Sequence, residues 1–442
     1  MRNLLLWSFC LVLAPGMALG QVSHWECAID AAERAYGQRQ YRDAESKFLQ
    51  AQKEAELFGP YDRRLAITLN NLGGLYLREA RYPEAEPLFK RALEIWQKGG
   101  DKTTADQATA LNNLAALYSY QSRYEEAEPE YRKCLALREK ILGPEHPDLA
   151  STLNNLGALF WQQGKVDEAE PLYRRAVFIK EKTLGPNDPE LAPCLNNLAA
   201  VYIRQGKNAE GESLFKRALS IWQRAFGPEH PDVGNGLNNL AALYSLEGRY
   251  SEAETMYGQS LSIAETSLGP DHPNVATSLN NLAELYRSEK KYTEAEPLYR
   301  RALSIRERAL GPNHPDVAQS LDDLGSVLVM KSQQINVELL YLRALAIRRK
   351  VYGAESSEVA RSLNDLGVAY VQEQRFPQGE QAFLDAIAIL AKQPKTETAT
   401  LARVCTNMAS LYQREGKHRK AKKMADEANS FRLTQAFTPE SQ

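Results

Sequence analysis

The chain has 442 residues, 25% of them charged, and its basic and acidic side chains nearly cancel to a formal net charge of −2. A protein that binds nucleic acid mainly through phosphates needs a clear basic excess, so this balance argues against nucleic acid as the main partner. The length alone would predict about two to four globular domains.

The N-terminus has the three parts of a secretory signal peptide. Arg2 supplies the positive region, Leu4 to Leu13 form a short apolar stretch, and Ala18-Leu19-Gly20 is a small-x-small cleavage site. A membrane-spanning helix needs about twenty apolar residues, which leaves an uncleaved anchor as the less favoured alternative. We therefore expect removal of residues 1–20, a mature chain that begins at Gln21, and export to the periplasm or beyond without an integral membrane span.

The rest of the chain is dominated by Leu-Asn-Asn-Leu, which recurs every 42 residues from Leu69 onward. It appears six times and continues in altered form as Leu-Asp-Asp-Leu at Leu321, Leu-Asn-Asp-Leu at Leu363 and Cys-Thr-Asn-Met at Cys405. A fixed period in this range is typical of a solenoid, in which each unit buries its apolar face by stacking on its neighbours. The repeats leave no room for a separate catalytic domain.

Each repeat predicts two helices joined by a short turn. In the unit from 150 to 190, Pro147 with a polar cap before it begins the first helix, and Gly164 ends it. The second helix begins in the acidic run at Asp167 and stops at Gly185. The first helix carries an apolar stripe at i, i+3, i+4 and i+7, formed by Leu153, Leu156, Gly157 and Phe160. The small residue at the position of Gly157 lets the paired helix approach closely.

The pattern Leu-x-x-Leu-Gly/Ala-x-x-Tyr, followed by Ala, Tyr or Phe, and Ala, resembles the tetratricopeptide repeat. The period of 42 and the Gly-Pro-x-His-Pro-Asp linker resemble the repeats of kinesin light chains and their bacterial relatives. The resemblance implies an all-α fold, an α-solenoid that forms a right-handed superhelix of helix-turn-helix units over 66–430. We expect a degenerate helix pair in 21–65 and a disordered tail in 431–442.

Four linker histidines are the residues that most resemble catalytic or metal-binding groups: His146, His230, His272 and His314. Successive units lie on the order of 10 Å apart, too far for one metal ion to be shared. The equivalent residue of another linker is Asp188, which can replace a helix cap but not a catalytic imidazole. We predict capping, no metal or cofactor, and no enzymatic activity. Cys27, Cys134 and Cys405 occupy apolar columns and are expected to be buried.

On a helical wheel the apolar stripe of the first helix is centred away from the Asn pairs, which therefore flank the face not used for stacking, and the resemblance places that face in the concave groove of the superhelix. Helix interiors disfavour Asn slightly, so its repeated use has a reason. One reason is structural, because the amides can brace one repeat against the next. The other is functional, because a free amide matches a peptide bond. Both remain open, and the candidate binding residues are Asn70, Asn112, Asn154, Asn196, Asn238 and Asn280.

Two further columns complete the predicted groove. Lys165 and Lys207 belong to a series of cations that follow the first helix, where they compensate its dipole or line a rim of the groove. Trp161 and Ile203 are predicted near its floor. Together these residues describe an amphipathic trough for an extended peptide with an aromatic or aliphatic anchor and some acidic residues.

The sequence therefore predicts a non-enzymatic, exported adaptor that holds extended segments of other proteins in its groove. A peptide-responsive regulatory or sensor module is the alternative within the same fold. The third alternative, an enzyme with an unrecognised site, has no motif to support it.

Overall fold

A computed structural model describes residues 23–38, 40–99, 105–331, 337–392 and 397–436. The predicted signal peptide and its cleavage site lie outside these ranges, as does the part of the predicted tail beyond Ala436. Within them, every long element is an α-helix and there is no strand. None of these helices is both long and apolar enough to span a bilayer.

The first of two compact units is Met1–Gly227, and within it each helix packs mainly on the helices before and after it in the chain. A short 3-10 helix, Pro189–Leu191, precedes α9. The α-helices are α1 His24–Gly37, α2 Tyr41–Glu56, α3 Arg63–Arg78, α4 Tyr82–Lys98, α5 Ala105–Tyr120, α6 Tyr124–Leu142, α7 Pro147–Gln162, α8 Val166–Leu184, α9 Ala192–Arg204 and α10 Asn208–Phe226.

The second unit is Pro228–Gln442 and is built in the same way. Its helices are α11 Pro231–Leu246, α12 Tyr250–Leu268, α13 Pro273–Ser288, α14 Tyr292–Leu310, α15 Pro315–Met330, α16 Val337–Tyr352, α17 Ser357–Gln372, α18 Phe376–Leu390, α19 Thr398–Arg414 and α20 His418–Ala436. In both units the odd-numbered helices from α3 onward carry the recurring motif, so they are the first helices of the repeats. The predicted all-α solenoid is confirmed.

Histidine caps begin four of these first helices. The Nδ1 atom of His146 accepts a hydrogen bond from the backbone nitrogen of Asp148 at 3.3 Å, and His230, His272 and His314 make the same bond. Asp188 caps the 3-10 helix in the corresponding linker, where it accepts from the nitrogen of Glu190 at 2.8 Å. The prediction that these residues are helix caps is confirmed.

Glycine at one position of the first helix allows a close approach to the second helix. A methyl group on Gly157 would lie 2.9 Å from Cε1 of Tyr173, and one on Gly367 would lie 2.6 Å from Cε1 of Phe383. Contacts this short require the ring to move. The predicted role of the small column is therefore confirmed in both units.

The prediction that three cysteines are buried is correct for two of them. Cys134 and Cys405 are buried, whereas Cys27 is exposed. Cys27 lies on α1, and no helix among the described residues precedes α1 to cover that column.

Candidate functional site

The side chains of the Asn pairs are hydrogen-bonded from one repeat to the next. In each bond the second Asn of a pair donates through Nδ2 to Oδ1 of the first Asn in the preceding repeat. We call the series the Asn ladder and each bond a rung. The rungs of the first unit are Asn113 to Asn70 (3.1 Å), Asn155 to Asn112 (3.1 Å) and Asn197 to Asn154 (2.7 Å).

The ladder of the first unit begins in the opening helix pair. Asn71 has no Asn pair before it, and its Nδ2 donates instead to Oε1 of Glu33 on α1 at 3.0 Å. Burial raises the pKa of the Glu33 carboxyl, and the Asn71 hydrogen bond acts in the opposite direction. Glu33 thus supplies the acceptor that an Asn supplies elsewhere.

The second unit has the same ladder with one change of direction. Two rungs follow the rule, Asn281 to Asn238 at 2.7 Å and Asn407 to Asn364 at 2.8 Å. At the altered motif, Asn280 donates through Nδ2 to Oδ2 of Asp323 at 3.0 Å. A carboxylate cannot donate, so the amide of the preceding repeat supplies the proton.

In three of the rungs, half of the accepting amide is unused. The oxygen of Asn112 accepts a hydrogen bond from Asn155, whereas its Nδ2 makes no hydrogen bond to any described residue. The same is true of Asn154 and Asn238. Asn112 and Asn238 are half-buried, and Asn154 is buried. The amide is thus fixed by its oxygen and retains two N–H donors.

The other three predicted Asn residues differ from this arrangement. Asn70 is buried, and its Nδ2 contacts Oδ1 of Asn71 at 3.4 Å. Asn196 is buried, and neither its side-chain nitrogen nor its oxygen has a partner among the described residues. Asn280 donates to Asp323, and its buried Oδ1 is unpaired within the described part of the chain. Asn280 therefore has a spare acceptor where Asn112 and Asn238 have spare donors.

The predicted rim cations lie on aromatic rings at the ends of the first helices. The ammonium of Lys165 is 5.6 Å from the ring centre of Phe160 and 4.0 Å from Glu168. Lys207 is 5.2 Å from the ring centre of Tyr202 and 3.8 Å from Glu170 of the preceding repeat. Both lysines are exposed, so each keeps part of its charge available to solvent.

In other repeats, the cation that follows the first helix takes part in a contact that we call the Tyr clasp. In this contact a Tyr and the cation both bind one Glu of the preceding repeat. The hydroxyl of Tyr370 donates to Glu338 at 2.8 Å, and Arg375 pairs with that carboxylate at 2.7 Å. The Arg375 guanidinium lies 4.4 Å from the centre of the Tyr370 ring. Corresponding Tyr-to-Glu bonds are Tyr76 to Glu45 (2.9 Å), Tyr118 to Glu86 (3.4 Å), Tyr286 to Glu254 (2.7 Å) and Tyr412 to Glu380 (2.6 Å).

The two predicted apolar floor residues are half-buried. Trp161 packs against the hydrophobic core of the first unit. Ile203 lies over Gly211 of the paired helix, where a methyl group would be only 2.4 Å from its Cδ1 atom. Part of each side chain therefore belongs to the packing between helices, and the remainder is available for contact.

A second inter-repeat contact was not anticipated from the sequence. Arg175 on α8 donates to the carbonyl of Pro144, in the linker before α7, at 2.9 Å and pairs with Glu139 at 2.6 Å. The same Arg-to-Pro carbonyl bond recurs as Arg91 to Pro60 (2.9 Å), Arg217 to Pro186 (3.0 Å), Arg301 to Pro270 (3.4 Å) and Arg343 to Pro312 (3.2 Å). Its sequence signal is an Arg in the second helix at a separation of 31 residues from a linker Pro.

The altered Leu-Asp-Asp-Leu motif replaces two amides by carboxyls in a buried setting. Burial raises the pKa of Asp322 to about 7 and that of Asp323 to about 6. Arg348 on α16 pairs with Asp322 and also donates to the Ser362 hydroxyl at 2.5 Å. Among the described residues, no group of His, Cys, Asp and Glu side chains has an arrangement that could hold a metal ion.

Comparison with known proteins identifies the repeat. A family model described as tetratricopeptide repeat matches residues 26–98, 106–182, 190–266 and 232–292. Two further tetratricopeptide repeat models match 275–316 and 402–432. No curated protein matches the chain.

Three solved structures show similarity to this chain. BtubC (BKLC) from P. vanneervenii is 28% identical, with a TM-score of 0.42 over 52% of this chain and 91% of that one. Kinesin light chain-like repeats from Podosopora anserina are 27% identical, with a TM-score of 0.40 over 47% and 98%. A Rap protein complexed with competence and sporulation factor is 14% identical, with a TM-score of 0.54 over 85% and 99%. The last of these shares the fold across most of both chains.

Proposed function

Because the chain belongs to the tetratricopeptide repeat family, whose model matches more than half of its length, we propose that it is a non-enzymatic scaffold that binds extended peptide segments of other proteins. The segment lies along the first helices, on the face that carries the Asn ladder. One observation carries this proposal: Asn112, Asn154 and Asn238 are each fixed by their oxygen and keep their amide donors unused. A peptide carbonyl is the natural acceptor for such a donor.

The spacing of the repeats suits an extended chain. A peptide rises about 3.3 Å per residue, and packed helices lie about 8–10 Å apart, so one Asn meets roughly every third peptide residue. Each hydrogen bond contributes about 0.5–1.5 kcal/mol. After the ordering of the peptide is included, a few such bonds with one apolar anchor correspond to roughly micromolar affinity.

The side chains beside the ladder suggest the character of the ligand. Trp161 and Ile203 are half-buried and offer apolar contact for an aromatic or aliphatic anchor. Lys165 and Lys207 are exposed and favour some acidic residues. Each lysine also lies near a glutamate, Lys165 at 4.0 Å from Glu168 and Lys207 at 3.8 Å from Glu170, so the two are comparable candidates.

The proposal is tested by removing the spare donors while the rungs are kept. Asn112→Asp together with Asn238→Asp retains the oxygens that accept from Asn155 and Asn281 but deletes the N–H donors. The control is Asn187→Asp, an exposed linker position at which the same kind of substitution adds one negative charge. Twelve-residue peptides from a phage-displayed random library are selected on the full chain and then measured by fluorescence anisotropy.

We expect the double variant to bind the selected peptides at least about fivefold more weakly, which corresponds to about 1 kcal/mol. Its urea midpoint should stay near that of the wild type. The Asn187→Asp control should bind normally. Equal binding by all three proteins, or a selection that yields no peptides, would overturn the proposal.

A regulatory module that responds to a secreted peptide is the second candidate. It is suggested by the Rap protein of similar fold, which was solved with competence and sporulation factor. A scaffold should keep its radius of gyration when a selected peptide binds, whereas a responsive module should change it. Small-angle X-ray scattering with and without peptide distinguishes the two.

We also propose that the scaffold acts outside the cytoplasm, since residues 1–20 have the pattern of a cleaved signal peptide. Mass spectrometry of the protein isolated from its native host should find Gln21 at the N-terminus. An intact Met1 on the mature protein would contradict export with cleavage.

A further inference from the structure

One rung position of the ladder in the second unit has carboxyl groups at both ends. Asp322 on α15 stands where the accepting Asn stands in other rungs, and Asp365 on α17 stands where the donating Asn stands. Nearby rungs of the regular kind are Asn281 to Asn238 and Asn407 to Asn364. Two ionised carboxylates contain no proton to donate, so they cannot form this bond.

The surroundings of Asp322 leave one of its oxygens unused. Asp322 is 8% exposed, and its Oδ2 accepts from Arg348. Its buried Oδ1 has no hydrogen-bond partner in the described part of the chain. Asp365 accepts from Asn364, the residue before it, at 3.0 Å. A buried carboxylate oxygen without a partner costs free energy, and a proton on the neighbouring carboxyl would remove that cost.

We propose that Asp322 and Asp365 form a proton-binding site between two repeats. The pair takes up one proton from water, and the resulting carboxyl O–H donates to the other aspartate. This bond supplies the rung that joins α15 to α17. No other bond forms or breaks, and the net charge of the pair falls from −2 to −1.

The electrostatic surroundings favour uptake of that proton near neutral pH. Burial is the largest cause that raises the pKa of both aspartates, and the negative charge of Asp365 raises the pKa of Asp322 further. Arg348 acts in the opposite direction on both. Two close carboxyls titrate as a pair, and they resist simultaneous ionisation. The other titratable groups around them are Tyr341 on α16, Asp323 on α15, Arg361 on α17, Arg403 on α19 and, facing Asp323, Glu284 and Arg287 on α13 and Arg306 on α14.

The rung formed by Asn280 and Asp323 provides an internal contrast. It has one amide and one carboxyl, and Asn280 donates to Asp323 without any added proton. Burial also raises the pKa of Asp323. Protonation of Asp323 adds no rung, however, because Asn280 already donates to it. A ladder position binds a proton in this sense only where both of its members are acids.

Proton binding by this pair makes the stability of the second unit depend on pH in a definite direction. A carboxyl whose pKa is raised on folding contributes stability that is complete below its unfolded pKa and is lost as pH rises through its folded pKa. For Asp322 that window runs from its ordinary value of 3.8 to about 7. The contact between α15 and α17 should therefore weaken as pH rises through neutrality, which is opposite to the usual behaviour of a paired carboxylate.

Hydrogen exchange of the full chain, followed by mass spectrometry from pH 5.5 to 8.5 and corrected for intrinsic rates, tests the proposal. Protection in α15 and α17 should fall at least about threefold across this range relative to α3 and α5 of the first unit. Asp365→Asn restores the donor of the regular motif, so its protection should be independent of pH. Asp323→Asn is the matched control and should keep the fall.

A second measurement uses the wild-type chain and does not depend on how the variants fold. Carbon-13 NMR of Asp carboxyl groups, with signals assigned from Asp322→Asn and Asp365→Asn, should show one proton shared by Asp322 and Asp365 at pH 5.5 and its loss near neutrality. Ionisation of both carboxyls at pH 5.5 would overturn the proposal. The proposal would also be overturned if protection fell with rising pH in Asp365→Asn as much as in the wild type. The same holds if protection in α15 and α17 changed with pH in the same way as protection in α3 and α5.

Discussion

Nδ2 of Asn155 donates to Oδ1 of Asn112 at 3.1 Å, although the two residues are 43 positions apart and belong to neighbouring repeats. The donor is buried and the acceptor is half-buried. The two ends of one hydrogen bond therefore differ in their access to water, which makes the effects of their removal unequal.

Asn112→Ala should destabilise the first unit more than Asn155→Ala does. The first change leaves the buried amide of Asn155 without an acceptor, at a cost of about 1–3 kcal/mol. The second leaves an oxygen that water can reach, at a cost of about 0.5–1.5 kcal/mol. Urea unfolding followed by tryptophan fluorescence measures both, and the double variant should cost less than their sum. If the costs of the two single variants add exactly to the cost of the double variant, the two Asn side chains do not stabilise the fold through their mutual hydrogen bond.

Adjacent glycines on α3 should respond to alanine in opposite directions. A methyl group on Gly73 would lie 2.8 Å from Cε1 of Phe89, whereas one on Gly74 would meet no atom within 4 Å. Gly73→Ala should cost about 1–3 kcal/mol through overpacking. Gly74→Ala should stabilise by about 0.5–1 kcal/mol, since alanine favours the helix. Thermal unfolding of the two variants is the measurement, and a shift of the same sign in both would contradict this account.

Removal of the Tyr clasp from one repeat should destabilise the protein, and its addition to another repeat should stabilise it. Tyr76→Phe deletes the hydroxyl that donates to Glu45 at 2.9 Å and should cost about 0.5–1.5 kcal/mol. Phe160 occupies the same position in its repeat, with Glu128 where the clasp Glu stands. Phe160→Tyr should raise the urea midpoint, because it adds the hydroxyl that its siblings have. A midpoint unchanged by both substitutions would leave the clasp without a role in stability.

Acid should weaken the clasp that contains Glu86. The hydrogen bond from Arg123 is the largest cause that lowers the pKa of Glu86, from 4.5 to about 2. A lowered pKa contributes stability that is present above the unfolded value and is lost as pH falls through the folded value. The difference in urea midpoint between the wild type and Glu86→Gln should therefore be constant above pH 5 and shrink between roughly pH 4.5 and 2. A difference independent of pH over that interval would exclude the linkage.

The sequence predicted those features that depend on a residue's own position in the repeat. The His146 cap, the turn glycines and the close approach at Gly157 follow from helix geometry and from what one side chain can do locally. Each could be inferred before any contact between repeats was known.

Contacts between repeats could be predicted only in part. A helical wheel placed Asn154 and Asn155 on one face, but it does not give the axial offset between neighbouring helices, so it could not decide which amide meets which. Ile203 was placed near the groove floor, and the space that it fills exists because the paired helix has Gly211 opposite it. Asp322 looked like a weakened copy of Asn because the two have nearly the same shape. The difference between them is the ability to donate a proton, which periodicity does not register.

Where the rungs follow the rule, the ladder also has a direction, because such a repeat offers an oxygen to the repeat after it and a nitrogen to the repeat before it, as Asn112 and Asn113 do. A newly duplicated unit that keeps both groups would be bonded on each side when it is inserted between two repeats that are joined by such a rung. Such an array can lengthen by whole-unit duplication without the design of a new interface. At the opening pair the acceptor is the carboxylate of Glu33, so the first rung joins an amide nitrogen to a side chain of a different kind.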